Sequence, residues 1–192
     1  MQDDFSNITN YLFEAGTLKR VKRSGWWLAK IKYPESVAEH SFRTAIVAFC
    51  LAKLEGQDDS TSNKICSAAV FHDMHECRIL DLHKIAAMYI GKQEALGSKA
   101  EQEQIANLPE ELKSSVNQLY NLSEREKIIL KDADLLEMAL QAKEYLEIGY
   151  KDAEEWINNV EKRLKTPSAK TLISKIKTMS SSDWYKELKK LD

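Results

Sequence analysis

Four ionisable sites interrupt otherwise apolar stretches of this 192-residue chain. They are His40 in VAEHSF, the adjacent pair His72–Asp73 in VFHDMHE, Glu76 in that same stretch, and Asp134 in KDADLLEM. Ionisable groups set against an apolar face are expensive to bury unless something pairs with them. Two neutral imidazoles and two carboxylates make a donor set suited to a borderline or hard divalent ion. With four protein ligands, an octahedral ion such as Mn²⁺, Co²⁺ or Fe²⁺ keeps positions for water and substrate. The spacing predicts that Glu76 shares a helical face with His72 and Asp73, where a carboxylate can manage a proton beside such an ion. Each residue alone also fits an ordinary role: His40 as a surface or hydrogen-bonded histidine, Asp134 as a solvated helix position. Asp132 competes with Asp134. On residue types alone, a metal site and a solvated helix edge both stay open.

Those residues need helices to bring them together, and the chain reads as a succession of helices. DDFSNITNYLFEAG places Phe5, Ile8, Leu12 and Phe13 at helical spacing before Gly16. SVAEHSFRTAIVAFCLAKLEG opens with Ser36 and Glu39 in capping-box spacing, and its Ala38, Phe42, Ala45, Ile46 and Phe49 form an apolar stripe. KICSAAVFHDMHECRIL is predicted as one central, buried helix. LPEELKSSVNQLY has Pro109 suited to a first helical turn. A second Ser-x-x-Glu box, Ser123 to Glu126, opens a long helix through KDADLLEM, and DAEEWINNVEKRLK, TPSAKTLISKIKTM and SDWYKELKKL complete the set. An all-α bundle follows, read as a single domain over 1–192 with a core of about 18–150 and C-terminal helices over 151–192.

Six glycines and three prolines agree with helix over sheet. A formal net charge of −2 argues against a partner that is a nucleic acid polymer or a membrane surface. No apolar run approaches the ~20 residues that span a bilayer, and the polar N-terminus MQDDFSNITN is no signal peptide. These features predict a soluble, cytoplasmic protein. Cys50, Cys66 and Cys77 lack CxxC spacing and are expected to be reduced and buried.

The ordered pattern His40, His72–Asp73, Asp134 resembles the H…HD…D signature of the HD-domain metal-dependent phosphohydrolases. GWW…PESVAEHSFRTA, FHDMHECRILDL, LPEEL and EKIILKDADLLEMALQAKEY together resemble the 5′-deoxynucleotidase branch, over about Leu18 to Tyr150. The resemblance implies a single compact HD-domain bundle that hydrolyses deoxynucleoside 5′-monophosphates to deoxynucleoside and phosphate. It implies one divalent metal ion (Mn, Co, Fe, Ni or Zn) held by His40, His72, Asp73 and Asp134, the last favoured over Asp132 by the alignment of KDADLLEM. It assigns acid/base catalysis to Glu76, with Asp73 also orienting the attacking water.

For the substrate, the resemblance points to an arginine followed closely by tryptophan. In LKRVKRSGWW, Arg23 is the match among Arg20, Lys22 and Arg23, and Trp26 and Trp27 stay open as the indole partner. A solvated basic loop with Trp in the core is the ordinary alternative. Asp81 matches an acid that contacts the sugar and disfavours a 2′-hydroxyl. Leu80 stands where many relatives carry Gly, and His83 follows, a departure that bears on deoxyribose selectivity more than on hydrolysis. His75 has no counterpart and is expected to be structural; His83 could border the substrate mouth. Relatives commonly dimerise, implying a homodimer that uses the amphipathic C-terminal third. Phosphodiester or triphosphate hydrolysis, and a metal-containing nucleotide-binding module without turnover, are the competing functions.

Overall fold

The computed structural model describes residues 2–91, 93–186 and 188. The chain is all-α. Its helices in order are α1 (Gln2–Ala15), α2 (Gly25–Leu28), α3 (Val37–Leu54), α4 (Asp59–Phe71), α5 (Glu76–Ile79), α6 (Lys84–Ile90), α7 (Gln93–Ile105), α8 (Glu110–Tyr120), α9 (Glu124–Glu147), α10 (Glu154–Glu161), α11 (Pro167–Thr178) and α12 (Asp183–Lys186). Residues 187 and 189–191 of the helix expected over SDWYKELKKL lie outside the described residues. Among the described residues, no helix is long and apolar enough to cross a membrane.

The chain forms two compact units, residues 1–43 with 67–123, and residues 44–66 with 124–192. In the first, Tyr11, Leu18, Val21, Val37, Met74, Ile105, Leu108 and Val116 make the buried core. Removing that apolar area from water is its main stabilising term. An isolated antiparallel bridge between Lys22 and Ser36 lays the basic segment beside the start of α3. The capping box there forms as expected: Ser36 Oγ accepts from Glu39 N at 3.2 Å, and Glu39 Oε2 accepts from Ser36 N at 2.6 Å. A polar tie crosses the same unit. Arg78 grips Glu14 with two bonds of 2.6 and 3.0 Å, while Gln104 Nε2 donates to Glu14 Oε1 and to the Met74 carbonyl, both at 2.9 Å. This anchors the backbone of the HD stretch to α1 and α7.

In the second unit α9 packs against α10 and α11, burying Ile129, Leu136, Ile157, Val160 and Ile173. The start of α11 is capped twice. Thr166 Oγ1 accepts from Ala169 N at 3.3 Å, and Glu55 Oε1 accepts from Ser168 N at 2.9 Å. Glu126 pairs with Lys64 at 3.1 Å.

The expected central helix needs correction, and two apolar stripes lie partly in solvent. KICSAAVFHDMHECRIL is two helices, because α4 stops at Phe71 and residues 72–75 turn before α5. The α1 stripe faces outward: Phe5, Leu12 and Phe13 are exposed, while Tyr11 is buried with Ile8 and Ala15 packed nearby. On α3 Phe42, Ile46 and Phe49 are exposed, and the buried face carries His40, Thr44, Ala48 and Leu51. Both faces of these helices are apolar, and small or hydrogen-bonding side chains are the ones that fit the closest packing. All three cysteines are free, as expected, but Cys50 is exposed.

Candidate functional site

The turn after α4 gathers the central residues of the site. Met74 N bonds to the Phe71 carbonyl at 3.1 Å and Glu76 N to the Asp73 carbonyl at 3.0 Å. This tight turn, rather than one continuous helical face, is what sets Glu76 close behind Asp73. His72 Nδ1 lies 2.7 Å from the Ala69 carbonyl. A carbonyl only accepts, so Nδ1 carries a proton, which leaves Nε2 as the nitrogen able to offer a lone pair. That Nε2 is 3.1 Å from Asp73 Oδ2, without a geometrically sound hydrogen bond.

His40, fully buried on α3, brings its Nε2 to 3.6 Å from the same oxygen. The two rings sit 5.4 Å apart, centre to centre. Two imidazole nitrogens therefore converge on one carboxylate oxygen, a set of atoms that can also surround a cation. The donor set of two imidazoles and an ionised carboxylate fits a divalent metal. Burial opposes ionisation of Asp73, but His72, Arg23 and His40 outweigh it and hold the carboxyl well below the usual range.

Glu76 has the opposite environment. Burial, then the negative charges of Asp73 and Asp81, push its carboxyl far above the ordinary range against the smaller pull of Arg23 and His40. Its Oε2 is buried with no hydrogen-bond partner among the described residues. Glu76 also borders a cleft of about 370 Å³ lined by Ile79, Leu80, Leu82, Ser98 and Glu101.

Arg23 is held at the site by charge. Its Nη1 donates to Asp81 Oδ2 at 2.8 Å and lies 3.7 Å from Asp73 Oδ2. Its backbone N–H donates to the Glu35 carbonyl at 3.0 Å. Arg20 and Lys22 are exposed. The two tryptophans separate: Trp26 is buried and its Nε1 donates to Glu35 Oε1 at 2.9 Å, whereas Trp27 is half exposed.

Asp81 follows Leu80, whose φ of 65° and ψ of 165° lie in a region that glycine occupies comfortably. The backbone thus keeps the shape that a Gly would favour there. His83 caps α6, its Nδ1 accepting from Ala86 N at 3.2 Å. His75 Nδ1 pairs with Glu101 at 3.1 Å, and its ring lies against Gly97, where an added Cβ would come within 3.2 Å. Both histidines have structural work.

In the second unit the two competing aspartates have different partners. Asp132, nearly inaccessible, accepts from Lys165 N at 3.1 Å and Thr166 N at 2.6 Å, fastening the segment before α11. Asp134 pairs with Lys131 at 2.5 Å on α9. Asp132 is therefore a structural acceptor. Sequence reasoning missed Glu35, Ser24, Glu101 and Gln104; each makes its bond to a distant segment, for which periodicity holds no signal.

The fold is all-helical, and it brings the imidazoles of His40 and His72 to the Asp73 carboxylate, with Arg23 and Glu76 beside them. The chain belongs to the HD-domain family, whose model matches residues 15–177. It is 30% identical over 186 residues to the 5′-deoxynucleotidase HDDC2 of Homo sapiens, covering 92% of this chain and 88% of that one. The crystal structure of genomics APC5600 is similar at 35% identity and a TM-score of 0.79, over 94% of this chain and 99% of that one. The fold also matches the cyanophage S-2L HD phosphohydrolase DatZ, whose structure holds dA and one catalytic Zn²⁺. That match has a TM-score of 0.57 and 17% identity, over 87% of this chain and 96% of DatZ.

Proposed function

We propose that this chain is a metal-dependent 5′-deoxynucleotidase, releasing phosphate from deoxynucleoside 5′-monophosphates. The observation that carries the reading is the meeting of the His40 and His72 Nε2 atoms at Asp73 Oδ2, with Arg23 Nη1 at 3.7 Å from the same oxygen. His40, His72, Asp73 and Asp134 would hold one divalent ion, drawn from Mn, Co, Fe, Ni or Zn. Such an ion, when bound, offsets phosphate charge and acidifies water.

The chain's own residues do the rest. Arg23 offers its guanidinium fork to the phosphate oxygens, with Asp81 fixing its direction. The half-exposed Trp27 offers an indole face to sugar or base. Trp26 supports the loop from the core. Asp81 meets the sugar, and Asp73 orients the attacking water. As the water oxygen bonds to phosphorus in line, the P–O5′ bond breaks. The proton held by Glu76 passes to O5′, which departs as the 5′-hydroxyl of the deoxynucleoside, and the proton that the water gives up restores the Glu76 carboxyl.

The curated relatives' names support the monophosphate substrate. We also propose that residues 1–192 act as one HD domain in a cytoplasmic homodimer. The family match across 15–177 supports the first, and exposed Ile148, Met179 and Trp184 in the C-terminal third support the second.

The test is phosphate release from dAMP, AMP, dATP and a cyclic nucleotide by protein loaded with each metal in turn. Release from dAMP above AMP, lost on chelation, is expected. Activity confined to dATP or to the cyclic nucleotide would refute the assignment.

A further inference from the structure

Ser24 is a buried hydroxyl that the proposed reaction does not use, yet it lies at the centre of the substrate-binding network. Its backbone N–H donates to Asp81 Oδ1 at 3.0 Å, and its Oγ lies 2.9 Å from the same oxygen. The same Oγ lies 2.9 Å from the backbone N of His83. These contacts fix the hydroxyl's orientation. A backbone N–H can only donate, so Oγ accepts from His83; a carboxylate can only accept, so the hydroxyl proton points to Asp81. The other Asp81 oxygen is taken by Arg23. Two consecutive residues therefore grip both oxygens of one carboxylate, and the hydroxyl also fastens the turn that follows it.

We propose that Ser24 is a positioning residue that sets deoxyribose selectivity by keeping the Asp81 carboxylate from turning. This rests on the 5′-deoxynucleotidase reading and on Asp81 as the acid that meets the sugar. A carboxylate locked on one edge by Ser24 and on the other by Arg23 can accept from a 3′-hydroxyl but cannot swing aside for an added 2′-hydroxyl. Removing the Ser24 hydroxyl leaves Asp81 with the Ser24 N–H and Arg23, and deprives the His83 N–H of its acceptor. The turn through 81–83 then loosens, and the carboxylate gains room to rotate.

The experiment compares kcat and KM on dAMP and AMP for wild type, Ser24→Ala and Ser24→Thr. In Ser24→Ala the dAMP-to-AMP ratio of kcat/KM falls about tenfold, the scale of one lost hydrogen bond to a charged group. The change is carried by KM more than by kcat. Ser24→Thr, which keeps the hydroxyl, restores the ratio. A selective wild type with an unchanged ratio in Ser24→Ala overturns the inference alone, as does an equal loss in Ser24→Thr. A wild type that hydrolyses both nucleotides equally also overturns it. A wild type inert on both overturns the activity reading itself. Should Ser24→Ala fail to fold, Ser24→Cys, close in volume but a weak donor, carries the same expectation. If neither folds, the role is structural and the proposal is wrong.

Discussion

Replacing Asp132 and Asp134 one at a time should separate stability from metal binding within two residues of one helix. Asp132 accepts the Lys165 and Thr166 N–H groups at 3.1 and 2.6 Å. In Asp132→Ala the Lys165 N–H, on an exposed residue, can turn to water, whereas the Thr166 N–H is buried and left without its carboxylate acceptor. One stranded buried donor and one weakened bond amount to about 2–4 kcal/mol. For a chain of this length that is a fall in Tm on the order of 10 °C. Asp134→Ala removes a pair with the largely exposed Lys131, worth under about 1 kcal/mol. Urea denaturation and thermal melts in EDTA read the stability difference without metal linkage. Elemental analysis of the folded fraction then reads metal content, which should be retained in Asp132→Ala and lost in Asp134→Ala. An Asp132→Ala protein of unchanged stability that has lost its metal would falsify this division of labour.

Glu76→Gln should lower kcat for phosphate release by about 10²–10⁴-fold while metal content stays at the wild-type level; unchanged turnover would remove Glu76 from the proton transfer. Leu80→Gly should raise stability by about 1 kcal/mol, because Leu80 occupies a glycine-like backbone region with its side chain largely in water; a lower urea midpoint would contradict this. Hydrogen bonding to Arg78 holds the Glu14 carboxyl below its ordinary range. Its contribution to stability is therefore complete above the unfolded value of about 4.3 and is lost as pH falls through the lower folded value. Urea midpoints measured down through pH 4 should fall more steeply for wild type than for Glu14→Gln, and parallel curves would show the pair to be inert.

The part of the candidate site that was legible is the part whose residues are short-range. His72, Asp73 and Glu76 lie within one turn of chain, and the Ser36–Glu39 cap joins residues three apart. The Asp132–Asp134 choice was not decidable from residue types, since the partner that occupies Asp132 is a backbone segment more than thirty residues away. Nor could residue types separate Trp26 from Trp27, whose distinction rests on a side-chain bond from Trp26 to Glu35. Which faces of α1 and α3 are buried was not legible for a different reason. Both helices carry apolar side chains on opposite sides, so a periodicity of 3.6 finds two acceptable stripes. Packing then chose the one with Tyr11 in α1, and the one with His40 and Thr44 in α3. Leu80 hid a glycine-like turn, because residue type there gives no warning of a positive φ.

The end of α4 at Phe71 does more than break a helix. Had the α-helix continued, the Ala69 carbonyl would be the natural acceptor for the Asp73 N–H. Stopping at Phe71 makes that oxygen one of the unsatisfied carbonyls of the last turn, and His72 Nδ1 takes it. The aligned peptide dipoles of a thirteen-residue helix also terminate there, with their negative end toward the HD pair. A helix C-terminus thus favours positive charge where the imidazole lone pairs point. A substitution that lengthened α4 by one turn would leave every ligand in the sequence, yet remove both the tautomer lock and the local field. Where the helix ends belongs to the proposed metal site as much as the side chains do.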